Sequence, residues 1–236
     1  MNINKLKLTC CATIFCTAVG AGIGFAAGEV KKDSKPAEMF GDVVEYSMKT
    51  GIVKAKGHVT LKQDGAVMTG NEGEYNTKTE SGVMSGNVKA DKQDMHMTCD
   101  VFSVTKQNHY VATGNVHAVQ KDKSFDGPQA EYFSDQDYVR MENGGIVASA
   151  DGTFTADFME GWVNQEHFKG IGNAHVVSPP RQFEGGGDTA EYWGKESGKA
   201  VFIGNAWAIQ DNNTLKSNKI TVFLADDKVK AKEEEK

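Results

Sequence analysis

Cysteine is scarce in this 236-residue chain, which has four. Cys10, Cys11 and Cys16 lie in the first 26 residues, and none follows the small residue that a lipid-attachment site needs immediately before its cysteine. Only Cys99 lies beyond that segment, so no disulfide can form within the rest of the chain. Stability must therefore come from packing and hydrogen bonds, and we expect Cys99 to be a small buried residue.

The chain also lacks an excess of positive charge, with 26 Lys and Arg residues against 32 Asp and Glu residues. This balance excludes nucleic acid as an expected partner, because nucleic-acid binding depends on basic surfaces. Beyond the first 26 residues, no stretch of a dozen residues has helical periodicity and no Pro/Ser-rich linker divides the chain. These absences predict a single all-β domain.

The first 26 residues have the layout of a secretory signal peptide. Lys5 and Lys7 precede an uncharged stretch from Leu8 to Gly28, with small residues near its end. A retained membrane anchor is the alternative, although Gly, Thr and Cys dilute the apolar stretch. We therefore predict a cleaved leader at 1–26, a polar segment at 27–38, one β domain at 39–224 and a charged tail at 225–236.

A repeat of about 29 residues organises the β domain. Its first ladder has spacings of 29, 29, 28, 29, 29 and 32 and consists of Met39, Met68, Met97, Phe125, Phe154, Phe183 and Leu215. A second ladder keeps nearly the same period and consists of Gly57-His58-Val59, Gly86-Asn87-Val88, Gly114-Asn115-Val116, Gly144-Gly145-Ile146, Gly172-Asn173-Ala174 and Gly204-Asn205-Ala206. Two ladders in step indicate about seven copies of one structural unit.

Each copy reads as two strands joined by polar turns. The residues after Gly-Asn alternate apolar and polar, as in Val88-Lys89-Ala90, which is typical of a half-buried strand. Glycine at the Gly-Asn step predicts a bulge or a bend. Gly161 interrupts the apolar positions of the fifth copy and extra residues enlarge the sixth, so we expect the interior to kink or widen there.

The segment Gly204 to Ala231, GNAWAIQDNNTLKSNKITVFLADDKVKA, resembles the repeats of the LptA/OstA family of lipopolysaccharide-transport proteins. The earlier GNV and AEY copies extend this resemblance over residues 39 to 231. The resemblance implies an antiparallel, repeat-built open β-jellyroll in the periplasm. Seven repeats are more than a minimal member of the family needs, so we expect an elongated or a fused version of it. It also implies an apolar groove that shields the acyl chains of lipid A, with no enzymatic activity and no cofactor.

The resemblance further implies partners that stack end to end with this chain. They are an LptC-like inner-membrane jellyroll, an LptD-like outer-membrane jellyroll and further copies of the chain itself. We expect the end-to-end interface to include Met39, Val43, Ile220, Val222 and Leu224. Strand addition between the last strand and the first strand of the next copy is the expected mechanism.

We expect the lipid to contact the apolar positions of both strands in each copy. These positions are Met39, Tyr46, Val59, Met68, Tyr75, Val88, Met97, Val104, Val116, Phe125, Tyr132, Ile146, Phe154, Phe183, Tyr192, Ala206, Leu215 and Val222. Small residues at other interior positions, such as Ala90 and Ala118, would leave space between the sheets. A one-residue slip of register would exchange the inner and outer faces of any strand.

Two alternatives remain open at the level of the sequence. A structural or adhesive β-solenoid with a sealed core would show the same apolar ladders, and a carbohydrate-active β-helix enzyme would need clustered carboxylates on one face. Metal binding by His58, His117 and His175 is not expected, because alternate copies lie two layers apart and no cysteine or carboxylate recurs beside them. The acidic residues fall mainly in predicted turns, so we expect neither a catalytic nor a metal site.

Overall fold

A computed structural model of the chain describes residues 38–63, 65–105, 109–193, 198–210 and 213–223. The expected leader at 1–26 and tail at 225–236 lie outside these residues. The described part confirms the all-β antiparallel class. None of its segments forms a helix long and apolar enough to cross a membrane.

Sixteen strands form one sheet. In chain order they are β1 (Glu38–Phe40), β2 (Val43–Ser47), β3 (Ile52–Gln63), β4 (Ala66–Asn76), β5 (Ser81–Lys92), β6 (Met95–Thr105), β7 (His109–Gln120), β8 (Lys123–Phe133), β9 (Tyr138–Met141), β10 (Gly145–Ser149), β11 (Gly152–Ala156), β12 (Phe158–Trp162), β13 (His167–Ser178), β14 (Phe183–Trp193), β15 (Lys199–Gln210) and β16 (Asn213–Phe223). Single 3₁₀ turns at Val163–Gln165 and Pro179–Arg181 precede β13 and β14.

The chain moves back and forth across the sheet, and every neighbouring pair of strands is antiparallel. Three positions in the sheet are filled by two short strands each, namely β1 with β2, β9 with β10 and β11 with β12. The sixteen strands therefore occupy thirteen positions. Among the described residues, β16 pairs with β15 alone, and β1 and β2 pair with β3 alone, so both ends of the sheet are open.

Regular bends divide the long strands in two. At each Gly-Asn step the glycine and the next residue both have positive φ, as at Gly86 (80°) and Asn87 (51°), and the strand pairing shifts there. Glycine is suited to the first of these positions because it lacks a Cβ. The bends bring two halves of the sheet together around one buried cluster, which is the expected open β-jellyroll.

We call the two halves of the sheet, on either side of the bends, the tyrosine half and the methionine half. The tyrosine half carries Tyr75, Tyr110, Tyr132 and Tyr192, and the methionine half carries Met68, Met97 and the ladder phenylalanines. Direct contacts join the two: the rings of Phe183 and Phe202 lie 6.1 Å apart across the interior. The core of the protein is thus the space between the halves.

A row of acidic and amide side chains holds the bends in place. Asp100 accepts a hydrogen bond from Asn115 Nδ2 at 3.0 Å, and Asp157 accepts one from Asn173 Nδ2 at 2.8 Å. We call the set the Asx row; it comprises Asp42, Asn71, Asp100, Asp157 and Asp188, each packed against a bend glycine. The row restrains the angle between the two halves because it joins each bend to the preceding strand.

The fourth copy departs from the expected register. Its two residues of positive φ are Asn143 and Gly144, the reverse order of the other bends. Gly145 therefore points into the core, where an added Cβ would meet Phe125, and Val147 is buried while Ile146 is 47% exposed. The expectation that Ile146 faces inward is wrong, because the bend begins one residue earlier than the Gly144-Gly145-Ile146 alignment assumed.

The fifth copy keeps its interior filled. The ring of Phe168, on the neighbouring strand, lies over Gly161 in the place that a Cβ of residue 161 would occupy. An aromatic ring that covers a cross-strand glycine restores the missing packing. The widening expected at Gly161 is therefore not found.

The sixth copy absorbs its extra residues by lengthening the distance from the ladder to the bend. Phe183 lies five residues before Asp188, whereas Met68 lies three before Asn71. Gly185 takes the buried position that corresponds to Met68, and the Phe183 ring packs against it. The two additional residues thus place Phe183 farther along the strand from the bend, while its ring still fills the core.

A continuous row of rings supports the outer face of the tyrosine half. Neighbouring rings are 4.2 to 5.7 Å apart along His109, Phe133, Tyr138, Trp162, His167 and Trp193. Lys199 Nζ lies 4.4 Å from the centre of the Trp193 ring. Beside the row, Tyr138 donates to Glu160 Oε2 at 2.8 Å; burial, followed by this bond, raises the pKa of Tyr138 to about 12.

The row ends at a buried carboxylate. Glu131, whose side chain is 7% exposed, accepts two hydrogen bonds from Arg140 Nη2 at 3.0 and 3.1 Å. It also contacts His109 Nε2 at 2.9 Å and Gln129 Nε2 at 2.7 Å. Burial alone would raise the pKa of Glu131, but the hydrogen bonds from Arg140, His109 and Gln129 together lower it.

We expect Glu131 to make the stability of the fold sensitive to acid. Its pKa is lower in the folded than in the unfolded chain, so its contribution is present above about pH 4.5 and is lost as pH falls through the folded value. In Glu131→Gln that part of the pH dependence should disappear, and the variant should be less stable than the parent at pH 7. Urea midpoints measured from pH 7 to pH 3 test this.

Glu72→Gln is the matched control, because Glu72 is exposed and its Oε1 lies 4.0 Å from Lys56 Nζ. It should change stability by less than about 1 kcal/mol at any pH. Identical pH profiles for Glu131→Gln and the parent would show that Glu131 does not carry the acid sensitivity.

Candidate functional site

The apolar interior between the two halves is the candidate site. Its inner surface is formed by alternate residues of every strand, because successive side chains of a strand point to opposite faces. Most of these residues belong to one cluster that runs from Ala55 to Ile220. The interior is therefore continuous from the first end of the sheet to the last.

Most of the sequence-predicted contact residues lie in this interior. Ten are buried: Val59, Met68, Val88, Met97, Val104, Val116, Phe125, Tyr132, Phe183 and Ala206. Five are half-buried: Met39, Tyr75, Phe154, Tyr192 and Val222. Three are exposed: Tyr46, Ile146 and Leu215.

Tyr46 and Leu215 are exposed for a different reason from Ile146. Leu215 pairs with buried Ala208, and Tyr46 pairs with Val53 in line with Tyr75, so both side chains lie on the inner face. They are 60% and 55% exposed because they belong to the end strands, beyond which the described sheet does not continue. Within the described residues, the interior is thus exposed to solvent at both ends of the sheet.

The residues expected at the end-to-end interface belong to the strands at these ends. Met39 and Val222 are half-buried, Val43 is exposed and Ile220 is buried, while Leu224 lies outside the described residues.

Sequence reasoning missed several large residues of the interior. Phe102 and Phe202, exposed by 2% and 1%, lie in the tyrosine half. Met84, which pairs with Phe102, and Met159 are buried in the same half. Phe102 stands two residues before Val104, and Phe202 stands four residues before Ala206 across a bend. A search for apolar residues two positions before each Gly-Asn step would have found Met84 and Phe202. A search two positions after Asp100 and Asp157 would have found Phe102 and Met159.

Phenylalanine rings fill the places where the interior has glycine. The ring of Phe154 reaches from the methionine half across to Gly170 in the tyrosine half, where it occupies the position of a Cβ. The Phe125 ring lies in the same way against Gly127 and Gly145. The middle of the interior is consequently closed by aromatic side chains.

A small apolar cavity lies near the first end of the sheet. Its volume is about 20 Å³, and Met39, Leu61, Met68 and Met84 are among its lining residues. That volume holds about one water molecule, far less than an acyl chain. A lipid chain could enter this part of the interior only if side chains moved or the two halves parted.

The polar candidates do not converge on a reactive centre. His117 pairs with Asp126 at 2.5 Å and His175 with Glu184 at 2.9 Å, both on the outer face. No group of three or more His, Cys, Asp or Glu side chains in the described ranges is arranged to hold a metal ion. Cys99 is buried as expected, and burial, followed by the charge of Asp100, raises the pKa of its thiol to about 12.

The fold and the site define an antiparallel jellyroll with a continuous apolar interior and two open sheet edges. Residues 69–167 match the family model described as LptA/(LptD N-terminal domain) LPS transport protein. This stretch begins in β4 and ends at the first residue of β13, so it covers the middle copies of the repeat. The match confirms the resemblance to the LptA/OstA family of lipopolysaccharide-transport proteins.

Among solved structures, the chain is similar to LptH from Pseudomonas aeruginosa, described as the LptA-homologous periplasmic component of the conserved lipopolysaccharide transport device. The identity is 18%, the similarity covers 42% of this chain and 77% of LptH, and the TM-score is 0.39. The comparison with curated proteins gave no match.

Proposed function

We propose that this protein binds lipopolysaccharide in the periplasm and shields the acyl chains of lipid A between the two halves of its sheet. In this role it forms part of a bridge between the inner and outer membranes. Copies of the chain stack end to end, and LptC-like and LptD-like jellyrolls cap the stack. The chain reaches the periplasm by a cleaved leader at 1–26, and it acts without a cofactor and without catalysis.

The observation that carries this proposal is the continuous apolar interior with an open end at each side, in a chain whose residues 69–167 match a lipopolysaccharide-transport family. An acyl chain of a dozen carbons in water costs on the order of 10 kcal/mol, at about 0.8 kcal/mol per methylene. An apolar interior that runs the length of the protein would remove most of this barrier.

The closed middle of the interior defines how a lipid must enter. Phe125 is 1% exposed and Phe202 is 1% exposed, so neither borders an open channel. Lipid entry therefore begins at an end, beside Leu215 or Tyr46, and proceeds as the halves part. Methionine side chains along the path suit this role because they adapt their shape to flexible chains.

The same closure favours a second candidate, a structural β-solenoid whose core stays sealed. In that case the interior serves only stability, and the open ends serve assembly. The two candidates differ in one measurable respect, which is whether lipid reaches the buried ladder residues.

A photo-crosslinking residue in place of Phe125 should capture lipid A in cells of the source bacterium. The matched control is the same residue at Asp126, the next position on β8, which is exposed on the outer face. We expect a lipid A adduct from Phe125 that exceeds the Asp126 adduct by at least about tenfold, because adjacent strand residues face opposite sides. The adduct is detected by lipid A antibody or mass spectrometry of the purified protein.

Equal adducts at both positions would mean surface contact only. Absence of an adduct at Phe125, in protein that is exported and folded, would reject the lipid-binding role and leave the sealed solenoid.

A further inference from the structure

The large side chains of the interior change in kind from the first end of the sheet to the last. The ladder residue is methionine in the first three copies and phenylalanine in the next three, which gives Met39, Met68, Met97, Phe125, Phe154 and Phe183. Outside the ladder, Met84 and Met95 are buried in β5 and β6 and Phe202 in β15, whereas Phe102, Met141 and Met159 depart from this order. The interior is thus methionine-rich from β1 to β7 and phenylalanine-rich from β8 to β15.

The phenylalanine rings are seated in recesses of the backbone that glycine provides. The Phe154 ring occupies the place that a Cβ of residue 170 would take, and Cζ of Phe183 lies 2.9 Å from the place of a Cβ on Gly185. The Phe183 ring also meets the Phe202 ring from the other half of the sheet, at 6.1 Å between centroids. Moving a ring out of its recess would leave a void against the glycine backbone, which is costly.

The methionine-rich part is filled by side chains that can change shape. Met84 reaches from the tyrosine half towards Gly70, and its Sδ lies 2.9 Å from the place of a Cβ on that glycine. The small cavity of about 20 Å³ lies in this part, with Met39, Met68 and Met84 among its lining residues. Methionine is unbranched and has three rotatable bonds, so it can vacate space without leaving a rigid gap.

The neighbours of Met97 leave room for such movement. Met97 pairs with Ala90 on one side and with Ala118 on the other, so no large side chain flanks it within its half of the sheet. A flexible side chain between two alanines can adopt other rotamers more readily than a ring held in a recess. The first part of the interior is therefore the more deformable of the two.

We propose that the interior is a chamber followed by a gate, in which the methionine-rich part holds the acyl chains and the phenylalanine rings keep the rest closed to them. The chamber is the interior from β1 to β7, and the gate consists of the rings of Phe125, Phe154, Phe183 and Phe202. This inference rests on the proposed lipid binding and specifies where in the interior it takes place.

Phe125 stands at the border between chamber and gate. It pairs with Ala118 of β7, which pairs in turn with Met97 of β6. Phe183 lies on β14, four strand positions beyond β8. Neighbouring strands are about 4.8 Å apart, so roughly 20 Å separates the two phenylalanine positions. An acyl chain in the chamber would thus reach Phe125 but not Phe183.

The position of lipid adducts along the interior tests the inference. The photo-crosslinking residue is placed at Met97 in one variant and at Phe183 in another, in cells of the source bacterium, and lipid A adducts are quantified as for Phe125. Both are ladder positions and both are buried, at 2% and 7% exposure, so the variants are matched in depth. We expect the Met97 adduct to exceed the Phe183 adduct by at least about tenfold.

Release of the gate gives an independent measurement. Phe125→Met together with Phe154→Met replaces two rings between the chamber and Phe183 with flexible side chains. The adduct at Phe183 should then rise at least about threefold. Phe223→Met is the matched control, because that ring is half-exposed on β16, and it should leave the Phe183 adduct unchanged. Circular dichroism of each purified variant establishes that it is folded.

Each outcome separates this inference from the lipid-binding proposal. Equal adducts at Met97 and Phe183, or a larger adduct at Phe183, would overturn the gate while still supporting lipid in the interior. An unchanged Phe183 adduct in the folded double variant would overturn the role of the rings. Absence of adducts at Met97, Phe125 and Phe183 alike, in exported and folded protein, would reject lipid binding itself.

Discussion

Gly114→Ala should destabilise the fold by about 2–5 kcal/mol. Gly114 has a φ of 76°, which costs other residues about 1–2 kcal/mol. Its added Cβ would also lie 2.7 Å from both Cβ and Cγ of Asp100, and a Cβ cannot rotate away. Relief of this overlap would strain the backbone and the bond from Asn115 to Asp100, which adds about 1–3 kcal/mol.

Gly65→Ala separates the cost of a positive φ from the cost of the overlap with the Asx row. Gly65 has nearly the same φ, 78°, but nothing lies within 4 Å of an added Cβ. It should cost only the backbone part, about 1–2 kcal/mol. Urea unfolding of both variants, followed by circular dichroism, gives the difference; equal losses would mean that the Asx row does not restrain the bend.

Phe125→Ala should destabilise the protein by about 3–5 kcal/mol, since removal of a fully buried ring leaves a cavity. The ring is 1% exposed, and it fills the space left by Gly127 and Gly145, whose backbones cannot collapse into the void. Phe223→Ala is the control, because that ring is 50% exposed on β16 and its loss should cost less than about 1 kcal/mol. Thermal or urea unfolding at low protein concentration measures both.

A loss below about 1 kcal/mol for Phe125→Ala would mean that the halves close over the gap. In that case the interior would be more deformable than its packing indicates, a property that would itself aid lipid entry. The stability of the variant therefore bears on both the core and the proposed function.

The sequence predicted the strands and bends well because the repeat states them several times. A departure in one copy does not hide a pattern that six Gly-containing steps share. The positive φ values fall where Gly-Asn occurs. The prediction failed in the fourth copy because Asn143-Gly144-Gly145 can be aligned with the other bends in two ways. Only the structure shows that Asn143 and Gly144 form the bend, which moves Ile146 outward and Val147 inward.

The Asx row could have been read from the sequence but was not. Asp42, Asn71, Asp100 and Asp157 each stand three residues after a ladder residue, yet their role depends on a bend glycine in the next strand. The compensation of Gly161 by Phe168 is harder to foresee. It requires the cross-strand register, which hydrophobic periodicity within one strand does not contain.

The odd number of strand positions bears on how such chains change length. Every neighbouring pair of strands is antiparallel, so the first and the last of the thirteen positions point the same way. A whole repeat adds or removes two strands, so duplication or loss of a repeat leaves the number of positions odd and does not change this relation. The sheet can therefore lengthen or shorten by whole repeats while the relative direction of its two end strands stays the same.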